Sequence, residues 1–185
     1  MVQLRKVVLF LCVLISYQIA SAQVYNSAGT LRPGRFSLGV APIFFVDRGD
    51  DIGLFLHGGV GITRNMDLSL KFRLNNNDTY FGGDLEFALL KGIPTISLAA
   101  GMHAYDKMGI DMNFNLTFPI RRIASLYGCL DLDVEFNDHD VYFPLWGVIG
   151  FEVMARRHLG ILMEIDIGIT ERAPNMFGIG LCVYF

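Results

Sequence analysis

Six carboxylates set two residues apart, or alone on an otherwise apolar-and-amide run, are the first chemistry this chain offers: Asp111, then Asp131, Asp133 and Glu135, then Glu164 and Asp166. Residues two apart share one face of a β-strand, so each run turns its acids to one side. Neither Lys nor Arg occupies those same faces. A row of this kind can build a cation-preferring passage or a cation site, or it can line a hydrated interior that conducts nothing. Upstream, Lys71, Arg73, Asp84 and Glu86 bring both signs together. A hairpin about the break at 75–79 places Lys71 and Arg73 beside Asp84, with Glu86 one step below. Unpaired buried charge is costly, so this cluster reads as a set of ion pairs bracing the interior.

The remaining reactive side chains suggest less. His103 can face Asp111 across a hairpin as a satisfied interior histidine. His57 and His103 are the inward-facing histidines, and their spacing to Cys or to each other is not that of a zinc site; no metal or cofactor is expected. Cys129 and Cys182 point inward from segments three strands apart. At about 4.8 Å per strand that exceeds the roughly 7 Å limit between the Cα atoms of a disulfide, so both should be free thiols.

Strands must position these groups, because the alternation is strict. Met66, Leu68, Leu70, Phe72 and Leu74 alternate with Asp67, Ser69, Lys71, Arg73 and Asn75. Ile110 to Phe118 alternate with Asp111, Asn113, Asn115 and Thr117, and Phe177, Ile179, Leu181, Val183 and Phe185 with Met176, Gly178, Gly180, Cys182 and Tyr184. About ten such segments follow one another, at 35–45, 52–63, 66–75, 80–90, 94–105, 110–120, 126–136, 141–154, 159–169 and 176–185. The connections between them are short, at most about six residues on the side away from the termini. The predicted fold is all-β, a closed antiparallel barrel of about ten strands, with eight the nearest alternative if the first hairpin lies outside the wall.

The N-terminus has a separate logic. Arg5 and Lys6 precede an apolar run from Val7 to Ile15, and Ala20-Ser21-Ala22 is a small-x-small cleavage site. These are the parts of a secretory signal peptide at 1–22, leaving one domain at 23–185. The apolar run is shorter than the roughly 20 residues of a membrane-crossing helix. Bulky Leu9, Phe10 and Leu11 argue against lipid attachment at Cys12. The sequence is 52% hydrophobic, above the roughly 45–50% usual in soluble domains, and this apolar content is spread at period two. The net charge of −3 excludes a strongly basic face and, with it, a nucleic-acid partner.

Period two does not say whether the apolar face points in, as in a soluble lipocalin-like lipid carrier, or out, as in a membrane barrel. Three features favour out. Every segment carries an apolar face of similar width, whereas open soluble sheets blunt their edges with charge. The polar face is rich in glycine and carboxylates, as a wet lumen allows. Phe44, Phe45, Tyr80, Phe81, Phe118, Tyr142, Phe143 and Phe185 lie near strand ends, where aromatic girdles sit.

The alternating terminal strand 177–185 and the repeated ten-residue amphipathic strands make nearly the whole of 23–185 resemble a small bacterial outer-membrane β-barrel of the outer-membrane-protein β-barrel superfamily. The resemblance implies location in the outer membrane, contact with its lipid and lipopolysaccharide, and a monomer. It also implies that Phe185 is the signal read by the barrel-assembly machinery. In such barrels both termini lie on the periplasmic side when the strand number is even. Arg64, Lys91, Arg121, Arg122, Arg156 and Arg157 then fall in periplasmic turns. Asp47, Asp50, Asp51, Asp78, Asp106, Asp138, Asp140 and Glu171 fall in outer loops, opposed there by Arg48, Lys107 and Arg172.

The fold hosts many functions, and enzymatic ones find little support here. Deacylases of the lipid A 3-O-deacylase type need Ser, His and an acid at the lipid-facing surface, which here is apolar. Omptin-like proteases are similar in strand number and place Asp and His on the rim, which Asp138-His139-Asp140 faintly resembles, but they are considerably larger. The expected function is therefore structural or small and pore-like, with an acid-lined lumen and no enzymatic activity. The alternatives are the soluble lipid carrier and, third, an outer-membrane hydrolase.

Overall fold

A computed structural model of the chain describes residues 27–48, 52–74, 79–104, 108–121, 123–136 and 140–185. The signal segment 1–22 and Cys12 lie outside the described residues, as do Asp50, Asp51, Asp78, Asp106, Lys107, Arg122, Asp138 and His139. The strands are β1 (Phe36–Phe45), β2 (Ile52–Gly61), β3 (Met66–Leu74), β4 (Thr79–Leu90), β5 (Thr95–Ala104), β6 (Met108–Ile120), β7 (Ala124–Phe136), β8 (Val141–Tyr142), β9 (Leu145–Arg156), β10 (Leu159–Gly168) and β11 (Met176–Tyr184). All neighbours pair antiparallel, and β1 pairs with β11 from Ser37↔Tyr184 to Phe45↔Met176, so the sheet closes on itself.

The wall is ten strands around, because β8 and β9 both pair with β7 and are two pieces of one strand. The interruption falls at Phe143-Pro144. Proline has no N–H to give a ladder, while its carbonyl still accepts from the Asp133 amide at 2.9 Å. The first hairpin is part of the wall, which sets aside the eight-strand alternative.

The wall follows the two-residue period except at irregularities such as Ala88–Leu90 on β4 and Leu159/Gly160 on β10. Leu38, Leu54, Leu70, Leu85, Leu98, Phe114, Leu130, Ile149, Ile165 and Ile179 are all exposed on the outside of the wall, one from each strand. Ser37, His57, Asp67, Asp84, Ser97, Asp111, Asn113, Asn115, Thr117, Glu152 and Glu164 are buried within it. The ambiguity of direction is thereby resolved: the apolar face is out.

The lumen is filled at the end where β1 begins and β11 ends, the terminal end of the wall. Residues 27–34 enter it and cross from one wall to the other: the Ala28 amide donates to Thr117 Oγ1 on β6 at 2.9 Å, and the Leu31 amide to Asp67 Oδ2 on β3 at 2.7 Å. Leu31 is 1% exposed and packs with Leu162, Cys182 and Tyr184. The segment leaves through a turn closed by the Arg35 amide on the Arg32 carbonyl at 3.0 Å, with Gly34 at φ 74°. Pro33 and Gly34 hold the two central places of a turn that needs positive φ at the second. No alternation marks these residues in the sequence; their part is to fill the terminal mouth.

Packing inside the wall is close where β4 meets β5. Gly101 lies opposite Asp84, and a Cβ at Gly101 would stand 2.0 Å from Asp84 Oδ1 and 2.4 Å from the Gly83 carbonyl oxygen. The second contact is with backbone and has no rotamer to relieve it. Gly101→Val should therefore lower the free energy of unfolding by about 1–3 kcal/mol, read as a shifted urea midpoint; an unchanged midpoint would contradict the close approach.

Candidate functional site

The lumen above the terminal plug holds the candidate site. Lys71 sits near its centre, and its Nζ lies 2.6 Å from Asp84 Oδ2. The pairing is diagonal, because the observed register sets Lys71 opposite Gly82 and Asp84 opposite Ser69. Arg73 is not beside Asp84, as the hairpin reading had placed it. It lies opposite Tyr80, one pleat nearer the loops, with its guanidinium carbon 5.3 Å from the Phe45 ring centroid and 5.6 Å from that of Tyr80. The break at 75–78 is set by Leu74 pairing with Thr79, which moves β4 along by two residues relative to that expectation. Glu86 is correspondingly opposite Asp67 and hydrogen-bonded by Ser97 Oγ, with Asn115 Nδ2 at 3.5 Å. Within the cluster Lys71 pairs with Asp84, the Arg73 guanidinium lies over Phe45 and Tyr80, and the Glu86 carboxylate is held by a hydroxyl.

The acids of β6, β7 and β10 also find company that strand-by-strand reading misses. Lys71 and Arg73 line a cavity of about 120 Å³ together with Asp131, Asp133, Glu164 and Asp166 from the far wall. That volume suffices for several waters, at about 10–15 Å³ of centre-accessible space each. Glu164 Oε2 and Asp166 Oδ1 are buried atoms at this cavity. In a ten-strand wall, side chains from opposite strands reach the same space, so basic residues on β3 serve acids on β7 and β10.

Toward the loops a second cavity of about 90 Å³ continues from the first, sharing Arg73, Tyr80, Asp133, Trp146 and Met176 with it, and adding His103, Glu135, Arg172 and Pro174. His103 is held firmly. It is 4% exposed, its ring stacks on Tyr80 with centroids 5.4 Å apart, and its Nδ1 is hydrogen-bonded to Asp111 Oδ1. The row that carries it runs His103↔Gly109↔Glu135 across β5, β6 and β7. Gly109 has no side chain, so groups from its two neighbours can meet over it. The next row inward runs Gly101↔Asp111↔Asp133. His103, Asp133 and Glu135 each place one potential ligand atom within 4.8 Å of the others. His103 thus faces Asp111 across the β5–β6 hairpin as a satisfied interior histidine, as the sequence predicts; its nearness to Asp133 and Glu135 is the added finding.

The rim around this mouth is stitched by Asn175. Its amide N–H and Nδ2 both donate to Asp47 Oδ2 at 2.8 Å, and its Oδ1 accepts from the Gly168 amide at 2.9 Å. The two donors hold the Asp47 carboxyl below its ordinary value of 3.8. This loop, 169–175, is longer than the expected six residues. It folds inward, burying Ala173 against Cys129, Trp146 and Val148, and the Trp146 indole donates to the Pro174 carbonyl at 2.9 Å. Arg172 stacks on Tyr142, 3.2 Å from its ring centroid. Arg64, Lys91, Arg121, Arg156 and Arg157 ring the opposite, terminal end, where Lys91 Nζ donates to the Arg64 carbonyl. Cys129 and Cys182 are free and buried. Phe185 pairs with Phe36 across the closing seam, its amide donating at 2.8 Å.

No family model matches the chain, and no curated protein matches it. Among solved structures, it is similar to a barrel from a study of de novo design of transmembrane β-barrels, at 10% identity over 83% of this chain and 98% of that one, with a TM-score of 0.46. The N-terminal β-barrel domain of Pseudomonas aeruginosa OprF is 9% identical over 83% and 98%, with a TM-score of 0.40. The Yersinia pestis outer membrane protein Ail, in a phospholipid bilayer nanodisc, is 12% identical over 82% and 99%, with a TM-score of 0.43.

Two outcomes follow from this geometry. Lys71→Met strands a buried Asp84 and should cost about 3–5 kcal/mol of stability. The Lys71→Met, Asp84→Leu double change should recover a large part of that loss, and a purely additive cycle would show that the pair is not coupled. At the rim, the depressed Asp47 carboxyl contributes stability above its ordinary value that is lost as pH falls through its lowered value in the folded chain. Exchange protection of the Asn175 amide should therefore persist at pH 5 and drop in stronger acid, and Asp47→Ala should abolish the protection at both.

Proposed function

We propose that this chain is an integral outer-membrane β-barrel with a structural role, its lumen acid-lined but occluded at the terminal rim. The belt carries the reading. All ten wall strands turn large apolar side chains outward, while the lysine, the carboxylates and the histidines turn inward. In water such a belt would far exceed the few hundred Å² of apolar patch that soluble monomers expose. Hydrocarbon demands it, and demands also a wall with every backbone group paired. A soluble carrier of apolar ligands would need the reverse, an apolar cavity and a polar exterior, where this cavity sets Lys71, Arg73 and four carboxylates among Ile43, Phe55, Trp146, Val148 and Met176.

On this reading residues 1–22 direct export and are removed after Ala22. The terminal Phe185, on the seam strand, serves the assembly machinery, and the exposed belt meets lipid and lipopolysaccharide as a monomer. The lumen is a hydrated chamber open toward the loops rather than a passage, because residues 27–34 cross it between β3 and β6. We read it as non-enzymatic, since the inward cysteines Cys129 and Cys182 are packed in apolar clusters.

Fractionation of cells expressing the full chain, followed by planar-bilayer recording of the purified barrel, tests the proposal. The chain should stay with the outer membrane and migrate differently on gels with and without boiling. Release into the soluble periplasm would overturn the membrane reading and favour the lipocalin-like carrier. In bilayers the intact barrel should be silent, and removal of residues 27–33 should open a small cation-preferring conductance that shrinks with Asp131→Asn and Glu164→Gln. Steady current from the intact barrel would overturn occlusion, and anion preference would overturn the acid lining.

A further inference from the structure

We infer that His103, Asp133 and Glu135 form a binding site for a first-row divalent transition-metal cation, entered from the loop mouth of the lumen. The site goes beyond the structural role proposed above and holds for this barrel wherever it resides. One ligand atom from each residue lies within 4.8 Å of the other two, a spacing that a single ion can bridge. The histidine is preorganised: it is 4% exposed, stacked on Tyr80 and bonded through Nδ1 to Asp111. A metal-bound imidazole commonly has its other nitrogen held by a carboxylate, which fixes ring orientation and raises ligand basicity. Here that carboxylate is in place, leaving Nε2 for the ion.

The position of Nε2 supplies an independent observation. It lies over Gly109, where a Cβ would come within 2.4 Å of it. Gly109 separates His103 from Glu135 in their row, so the space between nitrogen and carboxylate is kept open by the absence of a side chain. All three residues line the cavity of about 90 Å³ that reaches Arg172 and Pro174 at the rim, which gives an ion a path and room for water. Charge favours occupancy as well. The carboxyls of Asp131, Glu164 and Asp166 line the adjoining chamber, which shares Asp133 with the site.

The donor set selects the class of ion. One imidazole nitrogen and two carboxylates suit Zn²⁺ and its first-row neighbours, whereas Ca²⁺ and Mg²⁺ are bound by oxygen ligands alone. Three protein ligands leave a coordination position for water or for a group on a molecule arriving from the loop side.

Titration calorimetry of the chelator-treated, folded barrel in detergent with Zn²⁺ tests the site, folding being checked separately by the boiling-dependent gel shift. One Zn²⁺ per chain is expected. His103→Ala and Glu135→Gln should each weaken binding at least tenfold, and Asp111→Asn should weaken it roughly ten- to a hundredfold by loosening the ring. Asp140→Asn, on the rim, should leave affinity unchanged. Co²⁺ bound at the same site should give visible absorption bands that disappear in His103→Ala. A folded barrel that takes up no Zn²⁺ would overturn the proposal. So would equal affinity in the His103→Ala and Glu135→Gln variants, or displacement of Zn²⁺ by equimolar Ca²⁺.

Discussion

Closure of the wall at the β1–β11 seam is the constraint from which the rest of the molecule follows. Once Ser37 through Phe45 pair with Tyr184 through Met176, no strand has a free edge, and the sheet has only an outside and an inside. Each two-residue step then becomes a choice between two unlike solvents. The outside takes leucine, isoleucine and phenylalanine from every strand. The inside must accommodate everything polar within a width that side chains nearly span. Closure thus turns a one-dimensional alternation into a three-dimensional crowd, in which groups far apart in sequence compete for the same few tens of cubic ångströms.

How that crowd is settled differs along the axis. At the terminal end the solution is dry: Leu31, Leu162, Cys182 and Tyr184 pack together, and Tyr184 donates to Glu152 Oε1 at 2.5 Å. At mid-height one lysine meets one aspartate. Toward the loops the space widens into linked cavities where carboxylates outnumber cations, and an aromatic ladder of Phe55, Tyr80 and His103 forms one side. The Lys71–Asp84 pair therefore marks a boundary between a filled half and a hydrated half, and what the barrel can bind is confined to the second.

The strands were legible because their signal is local. Met66 to Leu74 alternate without exception, and so do Ile110 to Phe118 and Phe177 to Leu181, so position and facing could be read from a few residues at a time. Relations across the lumen were not legible in the same way. Lys71 shares a cavity with Asp131 and Glu164 only because a wall of this circumference brings β3 near β7 and β10, and no spacing within a strand encodes that. The two-residue error in placing Arg73 beside Asp84 came from the turn, whose length fixes register. Residues 27–34 carry no periodicity at all. Their clues were a Pro-Gly turn pair and a single leucine among small polar residues, which describe a segment that fits a narrow space without saying which space.

The segment at 27–34 also ties the seam to the rest of the wall. The β1–β11 join is the pairing with the greatest separation in sequence and hence the largest closure entropy to offset. The anchors of the segment, Asp67 and Thr117, belong to β3 and β6, while its Leu31 packs on Leu162 of β10 and on Cys182 and Tyr184 of the seam strand β11. Seam and stopper therefore share their stability: one short peptide fastens the join to strands on the far side of the ring, and loosening either loosens the other.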